Sequence, residues 1–152
     1  WLSKVDFELK EEIILPALLQ EIGKFILSDL IVSENKTELF KSKVASGCSI
    51  EEVERELFGF TTSEITSKIF RYWKLSENLI SMIEFVDNIE KASAEYKKKT
   101  QILDVIKTAC QINAPLSDKN VEKAIEKANK YGLDTKILKK AIEILQDRLL
   151  DE

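Results

Sequence analysis

Three times between residues 35 and 64 a short polar side chain stands three positions ahead of a glutamate: Asn35 before Glu38, Ser49 before Glu52 and Thr61 before Glu64. At that spacing the first side chain can accept a free N–H at the start of a helix, while the glutamate reaches back to the N–H of the capping residue. Ser76, ahead of Glu77, is a simple N-cap of the same kind. Gly47 and Gly59 fall where the first two of these helices should end, as left-handed C-cap residues. The signals predict short helices near 36–46, 50–58, 62–74 and 77–88. Only four Gly and two Pro occur in 152 residues, so few other breaks are available. No stretch alternates with period two for long enough to make a strand. The chain is predicted to be all-α.

On the N-terminal side, Asp6 to Val32 is dense in apolar residues, among them Phe7, Leu9, Ile13, Leu18, Ile22, Phe25 and Leu30. That is more than one helical stripe, which predicts a segment buried on most sides, with Leu9–Leu30 at the centre of the fold. Pro16 and Gly23 mark kinks or a break between two helices. On the C-terminal side, Lys91 to Ala114 reads as one longer helix stopped by Pro115. Asp118 is placed to cap a helix running to Tyr131 and ended by Gly132, and Asp134 to cap a last one carrying Ile137, Leu138, Ala141, Ile142, Leu145 and Leu149. The organisation expected is a helical core over residues 1–114 with an appended helical hairpin, 115–152, packing on it.

A net charge of −4 and a pI near 5.2 argue against a dedicated nucleic-acid binder, which needs a basic face. Ile13 to Val32 is interrupted by Gln20, Glu21, Lys24 and Asp29, too many polar residues for a membrane span, and there is no signal peptide. Cys48 and Cys110 match no metal spacing and are read as reduced thiols of a cytoplasmic protein.

The sequence contains no histidine. That removes Ser–His and Cys–His nucleophile pairs, the usual acid–base group near neutral pH, and the commonest transition-metal ligand. Carboxylates remain, as in Glu11–Glu12 and in Glu51, Glu52 and Glu54, with Glu51 and Arg55 spaced as an i,i+4 pair. These read as solvated helix faces. No calcium loop and no glycine-rich phosphate loop is present. Lys97, Lys98 and Lys99 form a basic cluster that alternates with acids nearby and reads as a solvated helical turn. Phe70, Tyr72, Trp73 and Leu75 form an aromatic knot, which at helical spacing reads as core, with a partner-binding patch as the other possibility. No catalytic, cofactor or metal residue is assigned.

Leu18-Leu19-Gln20-Glu21-Ile22-Gly23-Lys24, then Glu56-Leu57-Phe58-Gly59, then Trp73-Lys74-Leu75-Ser76-Glu77 and the helix containing Ile83, resemble the later half of an HDOD domain. This is a bacterial all-helical signalling module related to the HD phosphohydrolases, and the resemblance runs from about Leu9 to Cys110. Where the family often keeps histidine and aspartate before isoleucine–glycine–lysine, this chain has Gln20 and Glu21. The family's later histidine positions fall on Thr62 and around Val86 and Asp87.

The resemblance therefore implies an HD-like helical bundle whose metal site is gone, since an amide cannot replace the imidazole–carboxylate cluster that binds metal and activates water. It implies a non-catalytic regulatory or scaffolding domain of bacterial signal transduction that acts through protein–protein interaction. The alternatives are a divergent metal-dependent phosphohydrolase using carboxylates such as Glu21 and Asp87, or a sensor of nucleotides or cyclic dinucleotides. The partner expected is another protein or a missing N-terminal half of the domain. A contiguous exposed apolar patch on Trp1–Leu30, including Trp1 and Phe7, would mark where it docks. The oligomeric state is not legible.

Overall fold

The computed structural model describes residues 1–150, apart from the side chains of Phe7 and Leu150. Among them are α1 (Phe7–Leu19), α2 (Gly23–Ser33), α3 (Thr37–Ala45), α4 (Ile50–Phe58), α5 (Thr62–Tyr72), α6 (Glu77–Glu84), α7 (Ala94–Ala109), α8 (Asp118–Lys130) and α9 (Thr135–Leu150), with 3-10 turns at Leu2–Lys4 and Ile89–Lys91. No strand occurs among the described residues, so the fold is all-α.

Two of the capping boxes form as the spacing predicts. Ser49 accepts the Glu52 N–H and Glu52 accepts the Ser49 N–H, and Thr61 and Glu64 do the same for α5. Ser76 caps α6 and Asp134 accepts two N–H groups at the start of α9. Asn35 does something else. Its φ is 54°, and it closes α2 from the left-handed region while the Lys36 N–H reaches the Ile31 carbonyl at 2.9 Å. An Asn carries that conformation at low cost because its side chain is short and polar. The next helix starts without a side-chain cap.

Other boundaries move for similar reasons. Lys74 takes φ 58° and the Leu75 N–H closes onto Phe70, which ends α5 at Tyr72 rather than 74. The sixth helix stops at Glu84, and the predicted Lys91 start becomes a 3-10 turn, with α7 beginning at Ala94. At its far end α7 stops at Ala109, because Leu116 enters the left-handed region and its N–H bonds the Ala109 carbonyl at 2.8 Å. Ser117, not Asp118, has the extended N-cap geometry of α8, and Asp118 contributes only its charge to the first turn.

Pro16 lies inside α1 without ending it, and the break comes at Gln20–Ile22. The Gly23 N–H then donates to Thr66 Oγ1 at 2.9 Å. A Cβ on Gly23 would meet the Thr62 carbonyl oxygen at 2.5 Å and Thr66 Oγ1 at 2.7 Å, so only glycine lets α2 begin this close to α5. The break also divides the apolar segment. The first helix packs on α6 and α7, and the second on α5 and α3. Leu9, Ile13 and Leu27 are buried, but Leu18 is 73 % exposed and Phe25 81 %, with Ile14, Leu15 and Ile26 also exposed. The segment is thus central on one side only. Trp1 packs against both cores, and the Phe7 side chain lies outside the described residues.

Two apolar cores share α7. Leu9, Ile13, Phe70, Ile80, Ile83 and Leu103 belong to the first, and Val105, Ala109, Ala124, Ala128, Leu138 and Ile142 to the second. Alanines at 124 and 128 let α8 lie close against α7. No helix among the described residues is long and apolar enough to cross a membrane.

Candidate functional site

The turn after α1, α4, the start of α5, the end of α6 and α7 converge on one buried ammonium group. Lys107, on α7, lies 2.6 Å from Asp87 Oδ1, 3.0 Å from Glu51 Oε1 and 3.4 Å from Ser63 Oγ. Its side chain is 9 % exposed. Burial by itself would push the lysine pKa down. The charges of Asp87 and Glu51, with a further contribution from Glu21, outweigh it and hold the group well above the ordinary lysine range. For Glu51 the balance is similar: burial opposes ionisation, but the Lys107 charge prevails and its pKa is lowered.

Around this cluster lie the positions that the sequence resemblance aligns with metal ligands. Glu21 forms an ion pair with Lys24 and faces the Lys107 field. Gln20 is buried, donating from Nε2 to the Ala17 carbonyl at 3.3 Å, and its Oε1 accepts no hydrogen bond among the described residues. Thr62 gives both its N–H and its hydroxyl to Glu54, each at 2.7 Å. Glu54 is almost wholly buried, and burial raises its carboxyl pKa despite those two donors. Asp87 pairs with Lys107 through one oxygen, while Oδ2 is buried without a donor. Val86 is core. No group of three acidic, cysteine or histidine side chains suited to a metal ion occurs among the described residues. The centre is instead an ammonium clamped between carboxylates.

Lys107 itself is not legible as a site residue from the sequence, because nothing in its spacing separates it from other helix lysines. The predicted Glu51–Arg55 pair does not form: Glu51 turns inward to Lys107, and Arg55 goes to Glu64 at 2.9 Å. Lys97 and Lys99 pair with Glu90 and Glu12, as a solvated turn should, and Glu11 pairs with Lys10. The aromatic knot divides. Phe70 is core and stacks on Trp73 at 5.9 Å, whereas Tyr72 is 84 % and Trp73 56 % exposed. With Ile22, Phe25, Ile26, Ile69 and Lys68 they line an open groove of about 510 Å³ between α2 and α5. Cys48 and Cys110 are free thiols.

A second, polar cleft of about 620 Å³ runs from Lys107 outward between α4, α7 and α8. On its α8 side, Lys127 binds Asp104 at 2.7 Å and Thr108 at 2.9 Å, and the Tyr131 hydroxyl donates to the other Asp104 oxygen at 2.7 Å. Burial, followed by the Asp104 hydrogen bond and charge, raises the tyrosine pKa.

The bundle and its central cluster define an HD-like all-α domain. The chain belongs to the HDOD domain family, whose model matches residues 2–89. HDOD domains are signalling-associated, related to the HD phosphohydrolases and often non-catalytic. Among solved structures, the chain is similar to a virulence factor from Campylobacter jejuni, with a TM-score of 0.66 and 21% identity. The match covers 88% of this chain and 51% of that one, so the chain spans about half its length. No curated protein matches the sequence significantly.

Proposed function

We propose that this chain is a non-catalytic regulatory domain of bacterial signal transduction that works by binding another protein or a preceding half of the HDOD domain. The observation that carries this reading is the Lys107 ammonium, held within 3.0 Å of both Asp87 and Glu51. A fixed positive charge at that point repels a divalent cation and occupies one oxygen of each of the two carboxylates nearest it. A phosphohydrolase would have no metal-bound water to activate. A binding role is further supported by the groove bearing Phe25, Ile26, Tyr72 and Trp73, since exposed aromatic clusters are common at interaction surfaces. The proposal includes a cytoplasmic location, in keeping with two free thiols.

Two measurements test it. Phosphate-release assays on nucleotides and cyclic dinucleotides with manganese or magnesium should show no turnover. Turnover abolished by Glu21→Gln would instead favour a carboxylate-based phosphohydrolase. Affinity capture from the host, run in parallel with wild type and Phe25→Asp, should recover a protein that the variant does not. Identical recovery by both would remove the groove as the binding surface.

A further inference from the structure

We infer that the groove between α2 and α5 receives one amphipathic helix of a partner protein, apolar along one stripe and carrying an acidic side chain that meets Lys68. The inference rests on the protein-binding reading above and names the kind of segment that the groove takes.

Its walls specify the backbone of the occupant. Phe25 and Ile26 stand three and four positions after Ile22, and Tyr72 and Trp73 three and four after Ile69, so a helical stripe lines each side. The backbone N–H and C=O groups of both walls are committed inside their own helices. An extended segment lying between them would bury backbone groups with nothing to pair with, whereas a helix arrives with its own satisfied. Two such stripes fit a third helix that presents large apolar side chains at i, i+3, i+4 and i+7. Tyr72 and Trp73 supply the large amphipathic rings that anchor contacts of this kind.

Charge specifies the rest. Lys68 is the one charged residue lining the groove, and it forms no ion pair among the described residues. Glu64, the acid one turn back, is held by Arg55 at 2.9 Å and by the Thr61 N–H at 3.0 Å. Covering the groove with apolar side chains strips water from the Lys68 ammonium, which favours an occupant with an acid beside its apolar stripe. A second copy of this chain brings no such acid in an isologous contact, since the same patch, with Lys68, stands on both sides. Seven residues line the groove, against the about 20–30 on each side that a stable dimer uses. A lipid surface is flat where the groove is concave, and a net charge of −4 opposes anionic headgroups.

The test is a display selection from a random peptide library about four helical turns long, panned on the whole chain with counter-selection on Phe25→Asp. Phe25 and Lys68 are exposed, so Phe25→Asp and Lys68→Glu should keep the wild-type Tm. Surviving peptides should carry large apolar residues at i, i+3 or i+4, and i+7, with Asp or Glu beside that stripe. Synthesised, they should gain helical circular dichroism on binding, and a central proline should abolish binding. Lys68→Glu should weaken them by about fivefold or more, equivalent to about 1 kcal/mol for one charge pair. Survivors that bind extended, are basic, or are indifferent to Lys68→Glu overturn this inference while leaving the groove as a protein-binding surface. A dimer that Phe25→Asp dissociates in ultracentrifugation, or sedimentation with phosphatidylserine vesicles that it abolishes, overturns the inference in favour of a second copy or a lipid surface. A selection that yields no peptide dependent on Phe25 overturns it together with the groove's assignment as the binding surface.

Discussion

Lys107 Nζ stands 2.6 Å from Asp87 Oδ1, and the pair is buried where α7 passes the end of α6. Removing the ammonium leaves Asp87 and Glu51 facing one another with little water. Lys107→Met should cost about 3–5 kcal/mol at pH 7, the usual result of breaking one side of a buried pair. The pH dependence follows. In the wild type, the Glu51 pKa is lowered in the fold, so its contribution is present above the ordinary carboxylate range and is lost as pH falls through the folded value. In the variant Glu51 keeps the burial that opposes its ionisation and loses the Lys107 charge that offset it, so stability should rise between pH 7 and pH 5 while the wild type's does not. Urea midpoints at the two pH values decide it.

At Gly23 the constraint is steric. Gly23→Ala puts a methyl group against the Thr62 carbonyl, and backbone cannot swing aside as a side-chain tip can. A loss of about 1–3 kcal/mol is expected from such overpacking. A thermal melt of this variant matching wild type would show that α2 can shift off α5 freely.

Truncations along the first apolar segment should grade with burial. Ile13→Ala should cost about 2–5 kcal/mol, because the side chain is 1 % exposed and its removal leaves a cavity. Leu18→Ala, at 73 % exposure, should change the denaturation midpoint little. Equal effects at the two positions would contradict the one-sided packing of α1.

Glu54 holds the start of α5 through Thr62. Glu54→Ala leaves a buried N–H and hydroxyl without an acceptor, at about 1–3 kcal/mol. Because burial raises this carboxyl's pKa, ionised Glu54 weighs against folding at neutral pH relative to its protonated form. Its contribution is largest below the ordinary glutamate pKa and declines as pH rises through the folded value. The penalty of the variant should accordingly be larger at pH 4 than at pH 7, as read from guanidinium titrations at each.

The hairpin is fastened to α7 by Asp104, which accepts from both Lys127 and Tyr131. Tyr131→Phe should cost about 1.5–3 kcal/mol, the value of a hydrogen bond to a charged group. A double-mutant cycle with Asp104→Asn should show coupling near that size. Additive losses would mean that the two residues act separately.

The sequence by itself determined the helical class, and with it most helix starts. Caps such as Ser49, Thr61, Ser76 and Asp134 act within one turn of chain, so their residue types carry the information. Helix ends at Gly59 and Gly132 were legible for the same local reason, since glycine takes positive φ at no steric cost. Asn35, Lys74 and Leu116 adopt that region too, but their residue types do not announce it. The absence of histidine was also legible, by composition alone.

Tertiary structure decided which charged groups meet at the centre. Lys107 looks like any helix lysine until α4 and the end of α6 bring Glu51 and Asp87 to it, from 56 and 20 positions away in the chain. It likewise decided which face of an apolar segment would be covered. Periodicity records how many faces are apolar, whereas the turn at Gln20–Ile22 and the approach of Gly23 to Thr66 fix the direction in which α2 leaves α1. That direction, set by contacts more than forty residues apart, leaves Phe25 and Trp73 on the surface.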